Sequence, residues 1–139
     1  MTLDNGKIIK VGDTESVTRV ATEAITKSFA ELTGDYNPIH FDTEYALNTP
    51  FKKCITHGLF CLGTISYVIG MLLPGEGSVF VNEKLDYKAP VYMGESITTS
   101  VEIKNIVEEK ALVEVYIKCY NDSKVVLEGT SLLKMINKK

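Results

Sequence analysis

The apolar positions of this chain change period near its middle. In the first half they recur at helical spacing. Ile25, Phe29 and Leu32 lie three or four residues apart, behind a Thr22 suited to cap a helix N-terminus and ahead of a Gly34 suited to end it. Asp42 is placed to cap a short helix around Thr43 to Leu47. Gly58 to Leu73 carries no charged side chain. With Thr56 as its cap, it predicts a long helix that stops before Pro74-Gly75. Upstream of these, Lys7 to Val11 and Glu15 to Val20 read as short strands or extended arms.

From Ser78 onward the period becomes two. Ser78 to Tyr87, Ser96 to Val107, Leu112 to Cys119 and Val125 to Met135 read as strands. Within them Ile97, Val101 and Ile103, and then Leu112 or Val113, Val115 and Ile117, alternate with more polar neighbours. The breaks fall at Pro90, Met93-Gly94-Glu95, Glu108-Glu109-Lys110 and Asn121-Asp122-Ser123, all turn-like. Helices followed by successive strands predict an antiparallel α+β plan. A sheet with one apolar face needs a cover, and the uncharged helix is the natural one. That helix approaches the length of a membrane span, but it contains Gly63, Thr64, Ser66 and Gly70 and lacks a Lys/Arg asymmetry at its ends. A buried core helix is therefore expected, and no membrane partner.

Composition narrows the function classes. A chain of 139 residues with 45% hydrophobic and 24% charged residues is expected to form one domain spanning 1–139. The net charge of −3 argues against a nucleic-acid surface. Cys54, Cys61 and Cys119 are odd in number and form no CxxC pair, which fits a reduced, cytoplasmic compartment. The opening MTLDNGKIIK has no apolar core of a secretory leader.

Candidate chemistry concentrates in Gly34-Asp35-Tyr36-Asn37-Pro38-Ile39-His40. Pro38 has no N–H and keeps Asn37 out of the helical region, so Asp35 and His40 sit on a short, stiff loop. Acid–base catalysis needs groups held in this way. The plainer alternative makes Asp35 and Asn37 turn formers and His40 a packed histidine. Metal catalysis is not expected, because the two histidines, His40 and His57, stand 17 positions apart. No GxSxG elbow or phosphate loop is present, and Cys61 inside the apolar helix reads as a core residue.

Thr33-Gly34-Asp35-Tyr36-Asn37-Pro38-Ile39-His40, then Thr56-His57-Gly58 opening an apolar helix, Leu73-Pro74-Gly75, and Tyr87-Lys88-Ala89-Pro90-Val91 together resemble the MaoC-like hydratases, and most closely the (R)-specific enoyl-CoA hydratases. The resemblance implies a hotdog fold, an antiparallel sheet wrapped around a long central helix. It also implies a homodimer and reversible addition of water to trans-2-enoyl-CoA, with CoA entering as part of the substrate and no separate cofactor. Asp35 and His40 match the catalytic pair, Gly58 the glycine whose N–H serves the thioester oxygen, and Ser66 a serine near the site. Physically, Asp35 suits a base for water and His40 can share the proton transfer. A helix start offers unpaired N–H groups to developing negative charge, although Gly58 could equally serve close packing. Asn37 is expected to orient the loop through side-chain-to-backbone bonds. Ser66 could hydrogen-bond a catalytic group or simply its own helix. His57 reads as a structural residue at the helix start, with a loop or substrate contact as the alternative. Lys52, Lys53, Lys84 and Lys88 are candidates for CoA phosphates. A hotdog thioesterase and a non-catalytic acyl-CoA binding module are the competing functions.

Overall fold

The computed structural model describes residues 1–136. Strand β1 (Thr14–Val20) leads into helix α1 (Glu23–Thr33), the short helix α2 (Thr43–Leu47) and the central helix α3 (Leu59–Tyr67). Strands β2 (Ser78–Tyr87), β3 (Ser96–Val107), β4 (Leu112–Tyr120) and β5 (Val125–Met135) follow. They form one antiparallel sheet in the order β1-β3-β4-β5-β2.

The local signals act as expected where nothing competes with them. Thr22 Oγ1 accepts from Ile25 N at 3.1 Å, and a left-handed Gly34 closes α1. Asp42 caps α2 through Tyr45 N at 2.9 Å. In the sheet, alternate residues turn inward. Ile97, Val101 and Ile103 of β3 and Val113, Val115 and Ile117 of β4 are buried against Phe60, Cys61, Ile65, Val68 and Ile69 of the central helix region. Each such aliphatic side chain contributes about 1.5–3 kcal/mol on burial. Thr64 Oγ1 and Thr99 Oγ1 meet at 2.7 Å and tie α3 to β3 inside this core.

Three expectations need correction. Thr56 does not cap the long helix. Its N–H donates to Val91 O at 2.8 Å, its hydroxyl meets Thr26 Oγ1 at 2.8 Å, and neighbouring Ile55 bridges Tyr92. These pairings hold residues 55 and 56 extended, so the helix begins at Leu59 behind Gly58. Lys7 to Val11 makes no strand. Ile8 forms a single bridge to Thr2, and Gly12 turns the chain before β1. The arm is anchored instead by Lys7, whose Nζ donates to Leu72 O and, at 3.1 Å, to Pro74 O at the end of the central helix region. Finally, the uncharged helix is not buried all round, since Leu59, Gly63 and Ser66 form an exposed stripe at spacings of four and three. The helix continues through a π turn, Val68–Leu72, and no helix among the described residues is long and apolar enough to cross a membrane.

Candidate active site

The loop after α1 is built from consecutive side-chain turns. Asp35 Oδ1 accepts from Asn37 N at 3.2 Å, and Asn37 Oδ1 accepts from Ile39 N at 3.3 Å. Pro38 then opens a single 3₁₀ turn, Pro38–His40. The expected role of Asn37 is thus present as a bond within the loop. The loop is stitched to residues 55–57: Ile55 N donates to Ile39 O at 3.3 Å, and His40 Nδ1 lies 2.7 Å from Ile55 O.

His57 completes the arrangement. Its Nε2 lies 2.9 Å from Asp35 O and 3.8 Å from Asp35 Oδ2. Its ring stacks on His40 with centroids 3.9 Å apart and packs against Phe29 of α1 at 4.6 Å. One carboxylate oxygen of Asp35 and one nitrogen of each histidine lie within 4.8 Å of one another. The 17-position separation that seemed to keep the histidines apart therefore says nothing about space. As a metal cradle the trio is loose. A tetrahedral ion with bonds of about 2.0–2.1 Å needs donors roughly 3.4 Å apart, and here His40 Nδ1 and His57 Nε2 are already spent on backbone carbonyls.

The bonds fix where the ring protons sit. A carbonyl oxygen only accepts, so His40 carries its proton on Nδ1 and His57 on Nε2. His40 Nε2 is left as a lone pair, the atom able to take a proton from water. Asp35 is half exposed, at 48% of its side chain, so the single chain leaves one side of this carboxylate open to solvent.

Gly58 follows His57 directly and precedes α3. Its N–H has no acceptor among the described residues and stands at the positive end of the helix. It opens into a cleft of about 340 Å³ shared with His57, Cys61, Tyr87, Val91 and Val126. A Cβ here would lie 2.9 Å from Tyr87 Cε1, so the position is also one of close packing. Burial, with smaller contributions from Cys61, Glu83 and Cys119, raises the Tyr87 pKa, favouring a neutral phenol. A second depression, about 500 Å³, is lined by Thr26, Lys27, Tyr36, His40, Phe41 and Met93. The two depressions flank the stacked imidazoles.

Other candidates lie apart. Ser66 is exposed on α3 and makes no hydrogen bond to Asp35 or His40 among the described residues. Lys88 lines the smaller cleft and sits 3.9 Å from Glu128, while Lys52 turns to Leu47 O at 3.3 Å. Lys53 and Lys84 are exposed and line neither depression. The Cys61 thiol is pushed up by a hydrogen bond to Cys119 and by burial, so it is a core residue and not a nucleophile. His57 is the residue whose part sequence reasoning understated. Its only signal was its place between Thr56 and Gly58 at a helix start.

Residues 7–123 match the family described as MaoC like domain. A 3-hydroxybutyryl-CoA dehydratase from Methylorubrum extorquens is 37% identical over 94% of this chain and 83% of its own length. An (R)-specific enoyl-CoA hydratase from Rhodospirillum rubrum is 40% identical over 87% of this chain and 84% of its own. Among solved structures, the (R)-hydratase from A. caviae involved in PHA biosynthesis superposes with a TM-score of 0.87 at 28% identity, covering 92% of this chain and 98% of that one. The sheet wrapped around α3 is the hotdog fold of these neighbours.

Proposed function

From the premise that the chain belongs to the MaoC-like domain family, we propose that it is an (R)-specific enoyl-CoA hydratase working through Asp35, His40 and the Gly58 N–H. It is a hydro-lyase, and the same site run backward dehydrates a 3-hydroxyacyl-CoA. The observation that carries the reading is the convergence of the Asp35 carboxylate and the His40 ring within 4.8 Å, beside the start of α3.

Asp35 and His40 Nε2 hold one water. As its oxygen bonds to Cβ of the enoyl thioester, its proton passes to this pair. The electron pair of the C=C bond moves toward the thioester oxygen, where the Gly58 N–H stabilises it. A well-placed donor of this kind is worth about 3–4 kcal/mol. The pair then returns a proton to Cα, and the bookkeeping closes with water added and no redox partner or metal required. CoA enters only as part of the substrate, and Lys88 at the cleft is the lysine best placed for its phosphates.

The working unit is a homodimer. What supports this is the outer strand β2, whose Val79, Phe80 and Val81 are exposed, together with the exposed stripe of α3. An unpaired apolar edge is a liability that a second copy removes. That second copy is also the source of cover for half-exposed Asp35. The compartment is the cytoplasm, in keeping with three free thiols, Cys54, Cys61 and Cys119.

The test is a crotonyl-CoA assay following loss of the enoyl-thioester absorbance, with chiral analysis of the product. Formation of (R)-3-hydroxybutyryl-CoA is expected. Asp35→Asn should lower turnover by at least about 10²-fold while circular dichroism stays unchanged. Release of free thiol without hydration would point to a thioesterase, and a fully active Asp35→Asn would remove that residue from the mechanism.

A further inference from the structure

We propose that His57 is the positioning residue of this site, acting through Asp35 and His40; the inference rests on the hydratase reading above. Two groups that share one water must keep a fixed separation, and loops drift unless something spans them. Asp35 and His40 stand at opposite ends of one loop, and His57 touches both. Its Nε2–H holds the Asp35 carbonyl at 2.9 Å, and its ring packs against the His40 imidazole with centroids 3.9 Å apart and a tilt of 34°. The His57 side chain is itself buried, being 2% exposed and backed by Phe29 at 4.6 Å. The result is a stack, Phe29–His57–His40, that runs from α1 through the α3 start to the catalytic loop. Gly58, next in the chain, carries the thioester donor. One side chain thus sets the loop against the helix N-terminus, and so the water-activating groups against the thioester oxygen.

The tautomers make the role specific. His57 Nδ1 is buried with no hydrogen-bond partner among the described residues, so a proton there would be orphaned. The ring keeps its single proton on Nε2, where Asp35 O needs it. His40 has the opposite tautomer, and the stacked pair offers one lone pair to the water and keeps the other out of the chemistry.

His57→Phe keeps a ring in the stack and deletes the donor; His57→Gln keeps a donor at the Nε2 position. With crotonyl-CoA, His57→Phe should lower kcat at least about tenfold with KM within about threefold, and His57→Gln should recover most of kcat. In an Asp35→Asn background, His57→Phe should cost less than about twofold, since the group it positions is already gone. A folded His57→Phe with wild-type kcat, a rise in KM alone, or a full multiplicative loss in the Asp35→Asn background would each overturn the proposal. The chain has only two histidines, so long-range ¹H–¹⁵N imidazole spectra of the wild type give an answer without turnover. Protonated Nε2 on His57 with protonated Nδ1 on His40 is expected, and the reverse tautomer on His57 overturns the clamp. A wild type that hydrates no enoyl-CoA while showing these tautomers would overturn the hydratase reading and leave the clamp standing.

Discussion

Gly58 and Tyr87 show how tightly single residues are matched here. Tyr87 Cε1 would lie 2.9 Å from a Cβ at position 58, yet Tyr87 is 55% exposed and its ring is free to swing outward. Gly58→Ala should therefore fold with a loss below about 1.5 kcal/mol in chemical denaturation. Its turnover should still fall by about 10²-fold, because a methyl group beside the N–H pushes the thioester oxygen out of position. Gly58→Ala combined with Tyr87→Ala separates the two causes. Continued loss of turnover places the obstruction at the N–H, and recovery assigns it to the displaced tyrosine. At this scale the bend that carries Asp35, Asn37 and His40 was legible because Gly34 and Pro38 constrain its backbone locally, whereas Gly58 was singled out through the resemblance. The contacts of Ser66 and His57 were not legible, because what each touches depends on surfaces brought together by distant segments.

Among the elements, β2, β3 and β5 occupy the ranges that alternation predicts, and β4 runs one residue further, to Tyr120. Inward Val113, Val115, Ile117 and Cys119 carry a period that no helix can satisfy. The α3 start escaped the same reasoning. Thr56 is a good cap by type, but pairing with Val91 and Thr26 outcompetes one capping bond worth about 1 kcal/mol. The β2–β5 pairing rests on a close approach at Gly129, where a Cβ would fall 2.0 Å from Lys84 O and 2.9 Å from Leu85 Cα. Neither backbone atom can rotate away. Gly129→Ala should destabilise the protein by about 3 kcal/mol or more in denaturant titration, with β2 amides losing exchange protection first. Unchanged stability would mean that β2 and β5 part locally at no cost to admit the methyl group.

At the scale of the whole molecule, β2 and the stripe of α3 leave apolar surface exposed on the single chain. If a second copy does so, replacing apolar edge residues with lysine should break the pair. Val79→Lys combined with Val81→Lys should sediment at the 15.4 kDa chain mass, the wild type at twice that. Turnover should fall along with the dimer, since Asp35 would lose its cover. A wild type that is monomeric and fully active would refute the assembly and leave the proposed role of the Asp35–His40 loop intact.

Period, turn residues and capping residues act over a few positions, so the sequence by itself determined α1, α2, the four strands from Ser78 onward and the Asp35–His40 bend, but neither the start of α3 nor the course of residues 7–11. Sheet order, the loss of the Thr56 cap, the exposed stripe of α3 and the meeting of His57 with Asp35 and His40 were decided only by tertiary structure. Each depends on which backbone groups and side chains find partners across long separations, and the linear spacing of residues does not carry that information.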